Sequence, residues 1–293
     1  MALPDRVGFE AIRWAMGLGR LLPRSVALCL FGAGGAIVHS LEREGRRRTL
    51  RNLRWVYGDS AGTRRMARRV YRELGRSAAD LARLERADGG GLGRLVTVRG
   101  FGRLEEALRT GRGVVGITAH LGNWELLAAY LGSRGVPLTA LAASLFHPGL
   151  DERLRRLRAR YGVRSLYRSE PGCLRESYRL LARGEMLGVL MDLRCGEGSF
   201  RTDFLGRPAP TVLGPVRLAR RTGSILLPMA CWRVEGNSYR IEIDRPLSID
   251  PERRGEEAAR EDARRCTAAL ERFIRAAPDQ WVWMHDRWGL GAA

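Results

Sequence analysis

The feature that most constrains the fold is an alternation of short apolar runs with longer helical patterns from residue 93 onwards. The apolar runs predict strands at 95–98, 113–118, 138–142, 186–191, 225–231 and 239–243. Helical patterns are predicted at 104–108, 124–131, 151–161 and 258–276. Strands that alternate with helices form mostly parallel sheets, because each crossover helix covers one face of the sheet. We therefore predict an α/β fold with a largely parallel central sheet flanked by helices.

The first 92 residues follow a different pattern. Apolar side chains recur at helical spacing over 64–84, and arginines occupy the other positions there and over 43–54. The glycine-rich stretch 87–93 interrupts this pattern. We predict a helical, basic, membrane-associating segment at 1–92 and an α/β domain at 93–293.

The N-terminal part of that segment is apolar without being long enough for a clear membrane span. Residues 26–38 form an uninterrupted run of apolar and small residues, whereas a spanning helix needs about 20 such residues. Residues 9–22 mix large apolar residues with arginines. The pattern predicts a pair of amphipathic or interfacial helices. Helices buried against the main core would leave the same pattern, so both interpretations stay open.

The charge of the chain restricts its partners. It has 51 basic and 32 acidic residues, a net charge of +19, and every one of those cations is arginine. Guanidinium groups bind phosphates and carboxylates through a planar fork, so the surface is suited to nucleic acid, anionic lipid or an acidic carrier protein. No helix-turn-helix, zinc or single-strand-binding pattern supports nucleic acid. The five cysteines are scattered, which argues against a disulfide framework or structural metal and indicates a reducing compartment.

One candidate for chemistry stands where a predicted strand turns into a helix. His120 follows the strand at 113–118, and Glu125 falls in the first turn of the next helix. Gly122 suits the tight turn and Asn123 suits the helix N-cap, an arrangement that would let His120 and Glu125 meet. A carboxylate bound to one imidazole nitrogen leaves the other free as a general base. The same spacing also arises by chance, with His120 ending a strand and Glu125 only charging a helix start.

The hexapeptide His-Leu-Gly-Asn-Trp-Glu at 120–125 resembles the H-x4-D/E signature of bacterial lysophospholipid-type acyltransferases. In full it resembles the branch of lipid A lauroyl and myristoyl acyltransferases and their relatives acting on phosphatidylinositol mannosides. Further blocks follow in the order of that family: Arg-Asn-Leu at 51–53, Gly-Val-Leu-Met-Asp at 188–192, Phe-Leu-Gly-Arg-Pro-Ala at 204–209 and a closing Pro-Asp-Gln-Trp-Val-Trp-Met-His-Asp-Arg-Trp at 278–288.

The resemblance implies a glycerolipid-acyltransferase-like fold and transfer of a fatty acyl chain from acyl carrier protein or acyl-coenzyme A. The implied acceptor is a hydroxyl of a membrane glycolipid, either a lipid A precursor or a phosphatidylinositol mannoside, without a cofactor. The enzyme would work at the cytoplasmic face of the inner membrane, peripherally or through an N-terminal anchor. The implied site residues are His120 as general base, Glu125 orienting it, and the substrate-binding Asn123, Trp124, Arg158 and Asp192.

Some positions depart from the family pattern. Ala142, Ala143 and Ser144 stand where the family often has Tyr-Arg-Pro, so that arginine is missing. Arg158 matches an arginine of the family's active-site region, and Arg160 is near enough in the sequence to be mistaken for the matching residue. A structural role is expected for the histidine of the closing W-x-H-x-R block. An esterase or thioesterase would share the acyl chemistry, but no G-x-S-x-G nucleophile elbow is present.

Overall fold

The computed structural model describes residues 3–86, 89–145, 147–194 and 199–290. The helices are α1 Leu3–Leu21, α2 Arg24–Leu41, α3 Arg43–Tyr57, α4 Ala61–Leu84, α5 Gly89–Leu95, α6 Phe101–Arg109, α7 Trp124–Ser133, α8 Pro148–Arg160, α9 Cys173–Ala182, α10 Gly214–Thr222 and α11 Gly255–Ala276. The strands are β1 Val96–Arg99, β2 Val114–Thr118, β3 Leu138–Ala142, β4 Arg164–Tyr167, β5 Met186–Leu190, β6 Ser199–Phe204, β7 Arg207–Val212, β8 Ile225–Arg233 and β9 Tyr239–Ile243.

Seven of the strands form one sheet in the order β1-β9-β8-β2-β5-β3-β4. Every neighbouring pair is parallel except β8 and β9, which are antiparallel. Buried side chains on the two faces of the sheet belong to two separate core clusters, so helices cover both faces. The predicted α/β fold with a largely parallel central sheet is confirmed.

Three strands were not predicted, and their positions explain why. β4 is a four-residue edge strand with an exposed first residue, so its apolar run is too short to stand out. β6 and β7 form a separate antiparallel hairpin in which many side chains face solvent and two are prolines. Short strands at edges need fewer apolar residues than central ones.

The first helices pack onto the sheet domain. Leu53 of α3 and Val70 of α4 belong to the same buried cluster as the central strands. The predicted break in the chain at 87–93 contains α5 from Gly89 onwards, while Ala87 and Asp88 lie outside the described residues. The division into segments 1–92 and 93–293 stays a prediction.

Helix α2 combines a tightly packed face with an exposed apolar one. A Cβ atom added at Gly35 would lie 2.1 Å from the carbonyl oxygen of Tyr71, and one added at Gly75 would lie 2.1 Å from that of Phe31. These two glycines therefore let the backbones of α2 and α4 touch. On the opposite side, Ile37 and Leu41 are exposed.

Candidate active site

The sheet register brings His120 and Asp192 together. Strands β2 and β5 are parallel neighbours, and Thr118 pairs with Leu190 at their carboxyl ends. His120 and Asp192 each follow two residues after this pair. Because parallel strands in register end at the same edge, the two side chains meet, and Nδ1 of His120 lies 2.9 Å from Oδ1 of Asp192.

Asp192 accepts three hydrogen bonds. Its Oδ2 accepts from the backbone N–H of His120 at 2.8 Å and from the indole N–H of Trp281 at 2.7 Å. Burial alone would raise the pKa of Asp192, but the neighbouring His120 and these donors outweigh it and hold the pKa below its ordinary value. An ionised Asp192 can only accept, which assigns the imidazole proton to Nδ1. Nε2 of His120 therefore has a free lone pair.

The turn that carries His120 is fixed by contacts to β8 and α4. Asn123 caps α7 as predicted, since its side-chain oxygen accepts from the N–H of Leu126 at 3.0 Å. Gly122 has a φ of 61°, and a Cβ there would lie 2.3 Å from the carbonyl oxygen of Cys231. Ser77 of α4 donates to the carbonyl of Gly122 at 3.0 Å. These contacts hold the backbone of the turn from which the His120 side chain projects.

The expected contact between Glu125 and His120 is not formed, and the structure corrects that pairing. Both oxygens of Glu125 accept from Arg158 of α8, Oε2 from Nε at 2.9 Å and Oε1 from Nη2 at 2.6 Å. Glu125 lies where it was predicted, in the first turn of α7, but it faces α8 rather than the imidazole. Of the two candidate arginines, Arg158 is buried and Arg160 is exposed.

A cavity of about 50 Å³ opens next to Trp124. The Trp124 ring contacts the imidazole edge-on with the ring centroids 5.0 Å apart, and Trp124 also lines the cavity. Glu125 and Arg158 border it, and the rest of its lining is almost entirely apolar or glycine. The cavity runs between the sheet and α7.

The residues that hold Asp192 in place were not predicted as site residues. Trp281 and the buried Trp283 and Trp288 pack against one another, and Trp281 contributes the indole donor to Asp192. The side-chain amide of Asn52 donates to the carbonyls of Trp283 and His285 at 2.9 and 2.7 Å. The blocks at 51–53 and 278–288 therefore meet in space, which their common resemblance to one family could have signalled.

His285, the histidine of the closing block, is half-buried near the same carboxylate. Burial lowers its pKa despite the opposing charge of Asp192, so this imidazole is neutral at pH 7. Across the described ranges, no group of three or more His, Cys, Asp or Glu side chains could hold a metal ion. Cys195 lies outside those ranges.

Comparison with known proteins agrees with a site for acyl chemistry. A family model described as bacterial lipid A biosynthesis acyltransferase matches residues 7–289. A phosphatidylinositol mannoside acyltransferase of Mycolicibacterium smegmatis is 26% identical over 281 residues, which cover 92% of this chain and 88% of that protein. A protein of the same description from Mycobacterium tuberculosis is 30% identical over 199 residues, 65% of this chain and 59% of that protein. A lipid A biosynthesis acyltransferase of Haemophilus influenzae is 26% identical over 191 residues, 63% of this chain and 56% of that protein.

Proposed function

Because this chain belongs to the family of bacterial lipid A biosynthesis acyltransferases, we propose that it transfers a fatty acyl chain from an acyl thioester to a hydroxyl of a membrane glycolipid. The donor is acyl carrier protein or acyl-coenzyme A, and the acceptor is a lipid A precursor, a phosphatidylinositol mannoside or a related lipid. The observation that carries the proposal is a histidine whose Nδ1 is bound by a buried carboxylate and whose Nε2 has no hydrogen-bond partner among the described residues. This histidine contacts Trp124, which lines an apolar cavity.

In the proposed reaction, Nε2 of His120 takes the proton of the acceptor hydroxyl as its oxygen attacks the thioester carbonyl. The tetrahedral intermediate then collapses, the C–S bond breaks, and the imidazolium returns the proton to the leaving thiolate. Asp192 keeps the proton on Nδ1 and stabilises the imidazolium by its charge, in the manner of the carboxylate of a serine-protease triad. Histidine is thus the base, and the acceptor hydroxyl replaces the enzyme serine.

Glu125 acts in this proposal through Arg158 instead of through His120. The pair is buried and held by two hydrogen bonds at the edge of the cavity. Arg158 keeps N–H groups that Glu125 does not occupy, and a cation there suits a carbonyl oxygen that gains negative charge. Trp124 fixes the ring plane of His120, and Asn123 fixes the start of α7, so both serve as positioning residues.

The acyl chain is assigned to the cavity between the sheet and α7. Thr118, Trp124 and Leu190 line the end nearest His120, and the remaining lining residues give an alkyl chain an apolar surface. Each methylene moved from water into such a surface contributes about 0.8 kcal/mol. A long chain would therefore supply much of the binding energy of the donor.

We further propose that the protein binds the cytoplasmic face of the inner membrane through α1 and α2, with α2 lying in the plane of the bilayer. By length and composition, α2 is one helix of the described chain that could cross a membrane. However, α2 is attached along its length to α4: Arg24 pairs with Asp80 at 2.7 Å, and the His39 and Tyr71 rings are 5.2 Å apart. A crossing α2 would carry α4 with it.

That outcome is unfavourable because of the charges on α4. The helix contains seven arginines, and each costs about 2.5–3.5 kcal/mol at the centre of a bilayer. An in-plane α2 instead immerses only its outer face and leaves α4 at the surface, where arginines attract anionic lipid. The exposed apolar side chains of α1 and α2 that would enter the bilayer are Trp14, Leu18, Leu21, Val26, Leu30, Ile37, Val38 and Leu41.

Mass spectrometry of host lipids with and without the protein tests the function. We expect one lipid class to gain a single acyl group only when the protein is present. The purified enzyme is then given that lipid with acyl-coenzyme A or acyl carrier protein, which identifies the donor. His120→Ala should fold normally and lose transfer by about 10³-fold or more, whereas His39→Ala, on α2, should retain it. Acyl release without any acceptor requirement would instead assign a thioesterase.

A further inference from the structure

The far end of the cavity is built around two glycines on neighbouring strands. Gly116 of β2 and Gly188 of β5 are paired in the sheet register, and both line the cavity. Residues two apart in a strand share a face, so Thr118 and Gly116 follow one another along the cavity wall. Because glycine has no side chain, neither residue covers the middle of this face of the sheet.

The side chain of Met186 covers this part of the sheet. Met186 begins β5 and lines the same cavity. A Cβ atom added at Gly116 would lie 2.2 Å from Cε of Met186 and 3.4 Å from Cε of Met229. The Met186 side chain therefore lies across Gly116 and occupies the space that the glycine leaves. A Cβ atom added at Gly188 would lie 3.1 Å from Cδ1 of Leu138. The end of the cavity far from His120 is therefore bounded by the ends of flexible side chains.

We propose that Met186, lying over Gly116, is the residue that sets the length of the acyl chain this enzyme accepts. The inference rests on the proposed function, since it assigns the same cavity to the acyl chain. The terminal methyl group of the preferred chain stops against Cε of Met186. An acyl chain with one more methylene must displace the Met186 side chain. A chain with one methylene fewer binds about fourfold more weakly, because hydrophobic transfer contributes about 0.8 kcal/mol per CH₂.

Methionine suits this position because of its shape. Its unbranched side chain can adopt several rotamers. It therefore closes the cavity when a short acyl chain is bound, and a longer chain has to force it into another rotamer at a cost in free energy. The neighbouring residue gives a matched control. Leu187 is equally buried on β5, but it points to the other face of the sheet and belongs to the other core cluster.

The test compares wild type, Met186→Ala, Leu187→Ala and Gly116→Ala with saturated acyl-coenzyme A donors of eight to eighteen carbons, a span of about ten methylenes. Both alanine truncations on β5 remove a large buried side chain and should lower Tm similarly. Met186→Ala should move the optimum of kcat/KM to chains longer by about two to three carbons, because three heavy atoms beyond Cβ are removed. Gly116→Ala should move it to shorter chains, and Leu187→Ala should leave it in place.

A second readout does not need turnover. Displacement of a fluorescent fatty acid by free fatty acids of increasing length measures the depth of the cavity in each variant. The proposal is overturned if wild type, Met186→Ala and Gly116→Ala share one length profile in both assays. Failure of the proposed function is a different result: folded wild-type protein would then transfer no acyl chain of any length to any lipid acceptor. If Met186→Ala does not fold, the opposite shift expected of Gly116→Ala still decides the question.

Discussion

Replacing Asp192 by asparagine tests the assignment of His120 most directly. The asparagine side chain has one acceptor oxygen and one NH₂ group, and the site offers two places for them. The place of Oδ2 faces two donors, the N–H of His120 at 2.8 Å and the indole N–H of Trp281 at 2.7 Å. The place of Oδ1 faces only Nδ1 of His120 at 2.9 Å. The amide oxygen will therefore take the Oδ2 place, because the alternative sets an NH₂ group against two donors.

The consequence is a change of imidazole tautomer. With the NH₂ group of the new Asn side chain pointing at Nδ1, that nitrogen must accept, and the proton moves to Nε2, where a base is needed. The corresponding exchange in serine proteases lowers kcat by about 10⁴-fold, or about 5 kcal/mol of transition-state stabilisation. We expect a fall of about 10³- to 10⁴-fold in kcat for Asp192→Asn, with KM for the donor little changed, since the cavity is not altered.

Steady-state transfer measured by mass spectrometry, together with thermal unfolding, checks this prediction. Asp262→Asn is a matched control, because Asp262 is an equally buried carboxylate that binds Arg220 at 2.6 Å away from the catalytic edge. It should lose stability and keep its kcat. A folded Asp192→Asn protein with kcat within about tenfold of wild type would refute the tautomer argument.

The same carboxylate gives a prediction for acid stability. The pKa of Asp192 is lower in the folded protein than its ordinary value. A carboxylate of this kind stabilises the fold fully above the unfolded pKa, about 3.9, and loses that contribution as the pH falls towards the lower folded value. The stabilisation that the ionised Asp192 gives to wild type over Asp192→Asn should therefore shrink as the pH falls below about 4. A difference that grows on acidification contradicts the assigned direction of the shift.

Three further outcomes are expected. A double-mutant cycle of Glu125→Gln with Arg158→Met should give a large coupling in unfolding free energy, because breaking one side of a buried ion pair costs about 3–5 kcal/mol; additive effects would contradict the pairing. Ile37→Asp with Leu41→Asp should weaken sedimentation with anionic vesicles and leave Tm unchanged; undiminished sedimentation would count against an in-plane α2. Gly122→Ala should lower both Tm and kcat, because its Cβ would collide with β8; wild-type values would show that the turn can relax.

The strands of the central sheet show why much of the fold was predictable. β2 and β5 are covered on both faces, so they are continuous apolar runs bounded by glycine, and their existence follows from the sequence alone. β4 and the β6–β7 hairpin lie where solvent reaches them. Their residues satisfy local pairing without a long apolar run, so periodicity could not identify them.

The local features of the turn were predictable for a similar reason. Asn123 caps α7, and Gly122 adopts the positive φ that a tight turn needs. Both depend on the backbone within a few residues, where residue type and conformation are directly linked. The partner of His120 was not local. Glu125, five residues away, was the nearest carboxylate in the chain, whereas Asp192 is 72 residues away.

The sequence by itself determined that strands and helices alternate, that His120 follows a buried strand, and that Asp192 follows another. Only the tertiary structure decided which carboxylate holds His120. The order of strands in the sheet puts β2 beside β5, and their register puts Thr118 opposite Leu190, so His120 and Asp192 end level with each other. Strand order depends on how all the helices pack on both faces at once, which no short stretch of sequence encodes. The same packing turned Glu125 towards Arg158.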